Sequence, residues 1–123
     1  MTRRTERVGE VIRAEMAKLL REEASDPRIQ LVTLIRIDLS PDFRNARVYW
    51  SSPAVDSEDA ALEMGEGLAS AAGFLRRRLA GELPIKRVPQ LEFRHDPSLA
   101  LATETLALLR GVTHSEDAGD GAE

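Results

Sequence analysis

The spacing of the apolar residues changes twice along this chain, and that change limits the folds that the chain can adopt. Between Val8 and Leu20 apolar side chains recur every three or four residues, as they do along one face of a helix. From Ile29 to Ser52 they alternate with polar side chains, which is typical of strands that are buried on one face. Helical spacing returns between Ala61 and Leu79. The pattern therefore predicts a helix, a pair of strands and a longer helix, in that order.

Proline and turn residues set the predicted boundaries of the first three elements. The first helix covers about Thr5 to Ala24 and ends at Asp26-Pro27, because the residue before a proline is pushed out of the helical region. The first strand covers Ile29 to Leu39. Its apolar face is predicted to carry Ile29, Leu31, Thr33, Ile35, Ile37 and Leu39. Ser40-Pro41-Asp42 is typical of a turn, so Asn45 to Ser52 is predicted to pair with the first strand as an antiparallel hairpin.

The long helical segment has acidic residues at its start and a glycine in its interior. Asp56-Ser57-Glu58-Asp59 opens it, since acids in a first turn complement the helix dipole. A glycine costs a helix interior roughly 1 kcal/mol relative to alanine, so Gly73 predicts a break or a bend. The apolar stripe keeps its phase through Gly73, which leaves two alternatives open: one bent helix, or two helices joined almost in line. Gly81 is predicted to end the segment as a C-cap glycine.

The rest of the chain predicts one more strand and one short helix. Gln90 to Asp96 alternates again and predicts a third strand. Asp96-Pro97-Ser98 is typical of a helix start, and a last apolar stripe follows at Leu99, Ala102, Leu106 and Leu109. We expect an α+β domain with its helices on one face of a three-stranded sheet. Trp50 is then expected in the core, and the open face of the sheet is expected to carry Arg36, Arg47, Tyr49 and Arg94.

Positive and negative charges are separated along the chain, although the net charge is only −4. Four of the 21 acidic residues lie after residue 111, which leaves 17 acids and 17 bases in residues 1–111. Asp56 to Glu66 contains five acids and no base, whereas Arg76 to Arg87 contains five bases and one acid. Because binding depends on the local field and not on the total charge, the second segment is a candidate anion-binding patch.

Catalytic and metal-binding patterns do not occur in the sequence. There is no cysteine, which removes disulfides, Cys-ligated zinc and thiol chemistry. Neither His95, in the third predicted strand, nor His114 has the spacing of a metal site or of a nucleophile and its base. No apolar run approaches the roughly 18 residues that cross a bilayer. We therefore expect a cytoplasmic binding protein with no catalytic site, metal, cofactor or small-molecule substrate.

The arginine run Arg76-Arg77-Arg78 has two open interpretations when the residues are considered alone. On a helix, Arg77 projects away from the apolar stripe, and Arg76 and Arg78 flank it on opposite sides. The run is then either a solvated helix surface or a site that contacts phosphates. Arg3, Arg4 and Arg7 have the same two interpretations at the entry of the first helix.

A series of short motifs follows these elements in order. They are Arg7-Val8, Asp26-Pro27-Arg28, Ile37-Asp38-Leu39-Ser40-Pro41-Asp42, Ala46-Arg47-Val48-Tyr49, Ala72-Gly73-Phe74-Leu75-Arg76, Val88-Pro89-Gln90-Leu91-Glu92-Phe93 and Asp96-Pro97-Ser98. Their joint order and spacing resemble the ribosome-binding factor A family of bacterial small-subunit maturation factors. The resemblance covers residues 3–110.

The resemblance implies a type II KH-like RNA-binding domain, which we assign to residues 1–111. Residues 112–123 are small and acidic, and this composition predicts a disordered tail. The implied order is α-β-β-α-kink-α-β with a short C-terminal helix. An ordinary KH domain clamps a nucleic-acid backbone with a GxxG loop. This chain has no GxxG, and Ala71-Ala72-Gly73 matches the kink that the family has instead. The kink would set the arginines that follow it against RNA.

The resemblance also implies a function and a set of contact residues. It implies a non-catalytic assembly factor that binds the free small (30S) ribosomal subunit and 16S rRNA, and that is needed for late processing of the 16S precursor. A monomer is expected by default. The candidate RNA-binding residues are Arg76, Arg77, Arg78, Lys86, Arg87, Arg3, Arg4, Arg7 and Arg47. The alternative is a protein–protein module that docks a partner on the open sheet face.

Overall fold

The computed structural model describes residues 3–23, 25–29 and 31–97, and it places two helices on one face of a three-stranded sheet. The elements are helix α1 (Arg3–Glu23), a 3-10 turn (Pro27–Ile29), strands β1 (Thr33–Leu39) and β2 (Asn45–Ser51), helix α2 (Glu58–Glu82) and strand β3 (Gln90–His95). The predicted C-terminal helix and acidic tail lie outside the described residues. Within the described ranges, no helix combines the length and the apolar character needed to cross a membrane.

Strand β2 lies at the centre of the sheet. It pairs antiparallel with β1, with Ile37 opposite Val48, which confirms the predicted hairpin. It pairs in parallel with β3, with Val48 opposite Phe93. A parallel neighbour requires a long crossover, and helix α2 provides it. The inward side chains of β2 are Ala46, Val48 and Trp50, and each is nearly fully buried.

Strand β1 differs from its predicted bounds and faces. It begins at Thr33, four residues later than predicted, because Pro27–Ile29 forms a 3-10 turn. The pairing register shifts between Leu34 and Arg36, so that Ile35 is the extra residue of a β-bulge. The bulge moves Leu34 onto the buried face and leaves Thr33 exposed. The strict alternation of buried and exposed side chains that was predicted from Ile29 onward is therefore wrong for the residues before residue 36.

Helix α2 runs without a break through Gly73. The predicted division into two helices is wrong, and the single-helix alternative is the one observed. At its start, the Ser57 hydroxyl accepts a hydrogen bond from the backbone N–H of Ala60 at 3.1 Å. Gly81 is a helical residue and not a C-cap, because the helix continues to Glu82 and its C-cap is Leu83. Leu83 is extended (φ −118°, ψ 144°), as the residue before Pro84 must be.

The core lies between the helices and the inner face of the sheet. Its largest fully buried side chains are Trp50, Ile12, Met16, Leu19, Ile29, Leu68, Leu75, Leu79 and Val48. The predicted position of Trp50 in the core is confirmed, since its exposed fraction is 1%. Burying a large apolar side chain stabilises a fold by about 1.5–3 kcal/mol. This layer therefore fixes where the start of α1, the β1–β2 turn and the segment after α2 meet.

Candidate nucleic-acid interface

A groove of about 700 Å³ opens where the start of α1, the β1–β2 turn and the segment between α2 and β3 come together. We call it the basic groove and the segment Pro84–Pro89 the connector. The groove is lined by Arg4, Val8, Ile12, Leu39, Asp42, Phe43, Pro84, Ile85, Lys86, Arg87 and Pro89. Its buried floor is apolar, with Ile12, Leu39 and Pro89 among the lining side chains. Its charged groups are three cations and one acid.

The three cations of the basic groove are exposed at its rim. Arg4, Lys86 and Arg87 form no ion pair with any residue that the structure describes. The single acid, Asp42, is engaged by its own turn. It accepts hydrogen bonds from the Ser40 hydroxyl at 2.7 Å and from the backbone N–H of Arg44 at 3.0 Å. These bonds hold the pKa of Asp42 below its ordinary value, so this carboxyl stays ionised, and three cations outnumber one carboxylate at the groove.

The connector is anchored by Arg76. Its Nε donates to the carbonyl of Pro89 at 3.0 Å, and its Nη2 donates to the carbonyl of Val88 at 3.0 Å. The following residue, Gln90, donates its N–H to the carbonyl of Arg44 at 2.8 Å. Arg76 therefore supports the segment that carries Lys86 and Arg87, and its own charge is directed into the protein.

The three consecutive arginines of α2 point in three different directions. Arg78 pairs with Glu23 at the end of α1 and with Glu82, the latter at 3.4 Å. Arg77 is exposed, as its position on the helix predicted, and it makes no hydrogen bond or ion pair within the described part of the chain. The predicted cation patch is therefore divided, and only Arg77 of the three forms no hydrogen bond or ion pair with the described residues.

The remaining predicted cations lie on two separate surfaces. Arg3 and Arg7 are exposed on the first two turns of α1, on the helix that carries Arg4. Arg47 lies on the open face of the sheet, where its Nε is 3.3 Å from a carboxylate oxygen of Glu92. The structure thus brings Arg4, Lys86 and Arg87 together and leaves Arg47 outside the basic groove.

The open sheet face carries the four predicted side chains, but its charges are balanced. Arg36 lies over the ring of Tyr49, with its guanidinium carbon 4.0 Å from the ring centroid. The ion pairs of this face join Arg36 to Asp38 and Asp96, and join both Arg47 and Arg94 to Glu92. Pairing of this kind cancels most of the local field.

Phe43 is a groove residue that the sequence analysis did not identify. Its φ of 61° places it in the left-handed region, and the guanidinium carbon of Arg4 lies 5.2 Å from the centroid of its ring. A large apolar residue directly after Ser40-Pro41-Asp42 was the available signal, because turns rarely need one.

His95, which was considered for chemistry, has structural surroundings. The ring of His95 packs against that of Trp50, with centroids 4.8 Å apart. In the described ranges, no group of three or more His, Asp or Glu side chains is placed to hold a metal ion.

Comparison with known proteins identifies the family. The family model for ribosome-binding factor A matches residues 4–109. Ribosome-binding factor A of Azoarcus sp. (strain BH72) is 41% identical over 114 residues, which are 93% of this chain and 89% of that protein. The protein of the same name from Pseudomonas syringae pv. syringae (strain B728a) is 39% identical over 106 residues, 86% of this chain and 77% of that protein.

One crystal structure and one homology model fitted into a map are similar to this fold. The crystal structure of ribosome-binding factor A from Thermus thermophilus has a TM-score of 0.63 and 25% identity, covering 74% of this chain and 93% of that one. A homology model of the Thermus thermophilus protein, fitted into a cryo-EM map of a 30S–RbfA complex, has a TM-score of 0.51 and 29% identity, covering 71% of this chain and 93% of that one. Since the family model spans most of the chain and the relatives agree with it, this chain belongs to the ribosome-binding factor A family.

Proposed function

We propose that this chain is a non-catalytic assembly factor of the cytoplasm that binds the free small ribosomal subunit through 16S rRNA and serves late maturation of the 16S precursor. Its relatives are ribosome-binding factors by name, and a similar Thermus protein has been fitted into a map of a 30S complex. The observation that carries the proposal is the basic groove, where three cations without ion-pair partners among the described residues outnumber one acid.

The physical reason for RNA as the partner is the distribution of charge. Phosphate contacts by Lys and Arg supply most of the affinity for a nucleic-acid backbone. Residues 1–111 have no net charge from acids and bases, so only a local excess of cations can attract RNA. The basic groove provides such an excess. We assign phosphate contact to Arg4, Lys86 and Arg87, and extend it to Arg3, Arg7 and Arg77, which are also exposed.

The remaining arginines of the predicted set are assigned to the fold instead. Arg76 holds the connector, and Arg78 and Arg47 pair with carboxylates.

We include a type II KH-like relationship in the proposal, on the basis of the order α-β-β-α-β. Because α2 is continuous at Gly73, we assign the RNA-facing element to the basic groove instead of to that position. The proposal does not extend to protein docking on the open sheet face, because the arginines of that face are already paired.

The test removes two cations from the connector. We expect the double variant Lys86→Gln/Arg87→Gln to bind purified small subunits less tightly in a co-sedimentation assay. The slope of log affinity against log salt should fall by about 2, since each lost phosphate contact lowers it by about 1. The matched control is Lys18→Gln/Arg21→Gln, which removes one lysine and one arginine, both exposed, from the other end of α1.

Comparison of the two double variants distinguishes a specific contact at the basic groove from a general effect of removing two positive charges. If both double variants lose the same affinity, the basic groove has no special role. If neither loses any, the chain does not bind the subunit through these cations. In cells that depend on the connector variant, we expect unprocessed 16S precursor to accumulate, whereas the control variant should restore processing.

A further inference from the structure

Phe43 has a backbone conformation that is unusual for an aromatic residue. Its φ of 61° is the only positive φ among the non-glycine residues that the structure describes. Such a conformation is strained for a bulky side chain and persists where the surroundings impose it. Here the turn imposes it: the N–H of Phe43 donates to the carbonyl of Ser40 at 2.9 Å, and the N–H of Asn45 donates to the Ser40 hydroxyl at 3.0 Å.

The turn therefore holds the ring of Phe43 at the basic groove instead of burying it. The side chain is half-buried, so part of the ring remains accessible. The guanidinium carbon of Arg4 lies 5.2 Å from the ring centroid, which is a cation–π arrangement. A nucleobase is also a flat group that stacks on an aromatic face, and it can take this position while Arg4 turns to a phosphate.

The connector supplies donors on the other side of the groove. Lys86 and Arg87 are exposed at the rim. The backbone N–H groups of Ile85, Lys86 and Arg87 donate to no acceptor in the part of the chain that the structure describes. Arg76 and Gln90 fix the far end of the connector through the carbonyls of Val88, Pro89 and Arg44. These donors are therefore positioned before any anion arrives.

The size of the groove sets the form of nucleic acid that fits. A volume of about 700 Å³ lies within the range of sites that enclose a ligand of one or two nucleotides. In a duplex the base faces are stacked on each other and are closed to a side chain. Proteins that recognise RNA through aromatic side chains therefore target single strands.

We infer that the basic groove binds single-stranded RNA, with one unpaired base stacked on the ring of Phe43 and the flanking phosphates held by Arg4, Lys86 and Arg87. This inference rests on the proposed function and names the form of RNA that the site recognises. Purines offer a larger face than pyrimidines, so the groove prefers an adenine or a guanine at the stacking position.

The test measures binding of fluorescein-labelled octamers of adenylate and uridylate, and of an RNA duplex of the same length, by fluorescence anisotropy. Phe43→Leu removes the aromatic face but keeps an apolar side chain over the core. We expect it to weaken oligoadenylate binding about tenfold, the effect of losing one stacked base. The difference between adenylate and uridylate should then shrink. The control is Tyr49→Leu, which removes the aromatic side chain that Arg36 covers on the open sheet face and should leave binding unchanged.

A second measurement uses the unaltered protein, in case Phe43→Leu lowers stability. An octamer that contains one 5-iodouridine is cross-linked to the protein by light, and the modified peptide is identified by mass spectrometry. A cross-link on Phe43 supports the inference, and one on Tyr49 overturns it.

The inference fails in ways that leave the proposed function standing. It is overturned if the wild-type protein does not bind the octamers, if the duplex binds as tightly as oligoadenylate, or if Phe43→Leu binds both octamers like the wild type. In each case, weakened subunit binding by Lys86→Gln/Arg87→Gln still supports contact with rRNA phosphates. If that variant binds subunits normally, the contact between these cations and rRNA that the proposed function assigns is itself wrong.

Discussion

Neighbouring residues on a helix belong to different surfaces, and the arginines of α2 show the consequence for function. Successive side chains differ by about 100°, so three adjacent arginines leave the helix in three different directions. Arg76 turns towards the connector, Arg78 towards Glu23 of α1, and Arg77 towards solvent. The cations that do converge come from residues far apart in sequence, Arg4 and the pair Lys86-Arg87.

The first prediction compares two of these arginines. Arg76→Met keeps most of the side-chain stem but loses two hydrogen bonds from a charged group to buried or half-buried carbonyls. We expect it to lower the free energy of unfolding by about 1.5–3 kcal/mol, measured by urea denaturation. Arg77→Met should change that free energy by less than about 0.5 kcal/mol, since it alters an exposed side chain with no partner among the described residues.

Exchange of the backbone amides adds a local readout for the same pair. Arg76→Met should speed hydrogen exchange in the connector and at Gln90, whose N–H is bonded to Arg44. Equal stability and equal exchange in the two variants would show that Arg76 does not anchor the connector.

At the scale of elements, helix α2 runs unbroken through Gly73, so this glycine does not divide the helix as predicted. A glycine in a helix interior destabilises the helix. Here the tertiary packing of the apolar stripe stabilises the helix by more than the glycine destabilises it. Met64, Leu68, Leu75 and Leu79 are buried on both sides of Gly73, which confirms that the stripe keeps its phase. A helix with this much buried surface does not need a break at one glycine.

The second prediction uses two glycines as a matched pair. A Cβ on Gly73 would meet only the Nη1 atom of Arg77, at 3.5 Å, so Gly73→Ala should raise the free energy of unfolding by about 1 kcal/mol. A Cβ on Gly9 would lie 3.0 Å from the carbonyl oxygen of Ile37, where α1 crosses β1. Because that contact is with backbone, Gly9→Ala should destabilise the fold despite the same gain in helix propensity.

Thermal or urea unfolding of both variants checks the prediction. A destabilised Gly73→Ala protein would favour a break in α2 at this position in solution. A stabilised Gly9→Ala protein would mean that α1 lies further from β1 than the structure shows.

At the scale of the whole molecule, surface carboxylates with arginine or hydroxyl partners make stability depend on pH. The pKa of Glu10 is lowered by its hydrogen bonds with Arg13, and that of Asp26 by its hydrogen bonds with Arg28. The pKa of Glu92 is lowered by Arg94 first and by Arg47 second. A carboxyl group whose pKa is lower in the folded state binds protons more weakly there than in the unfolded chain.

The third prediction is that stability falls on acidification. The contribution of these groups is fully present above the ordinary carboxyl pKa, near 4, and is lost as the pH falls through the lowered folded values. We expect the melting temperature to be flat between about pH 5 and 7 and to decrease below about pH 4. Calorimetry over this range measures it, and a melting temperature that rises below pH 4 would contradict it.

Much of the fold was predictable from the sequence because its determinants are local. Apolar residues recur about every 3.6 residues in helices and every second residue in strands. These two spacings identified both long helices and all three strands, although the predicted start of β1 was wrong. The turn at Ser40-Pro41-Asp42 predicted the antiparallel hairpin, and the acidic run Asp56-Ser57-Glu58-Asp59 predicted the start of α2. Alternation in the second strand placed Trp50 in the core. Each of these features is decided by residues within a few positions of each other.

Tertiary structure alone decided the bulge in β1, the parallel pairing of β3 and the composition of the basic groove. These depend on contacts between residues that are distant in sequence. The pairing of Leu34 with Trp50 sets the register of β1, and the hydrogen bonds of Arg76 set the connector. The arginine run has the densest positive charge in the sequence, and it was therefore predicted as a candidate site for an anion. Packing engaged two of its members in contacts within the protein and assembled the candidate site from the start of α1, the β1–β2 turn and the connector instead.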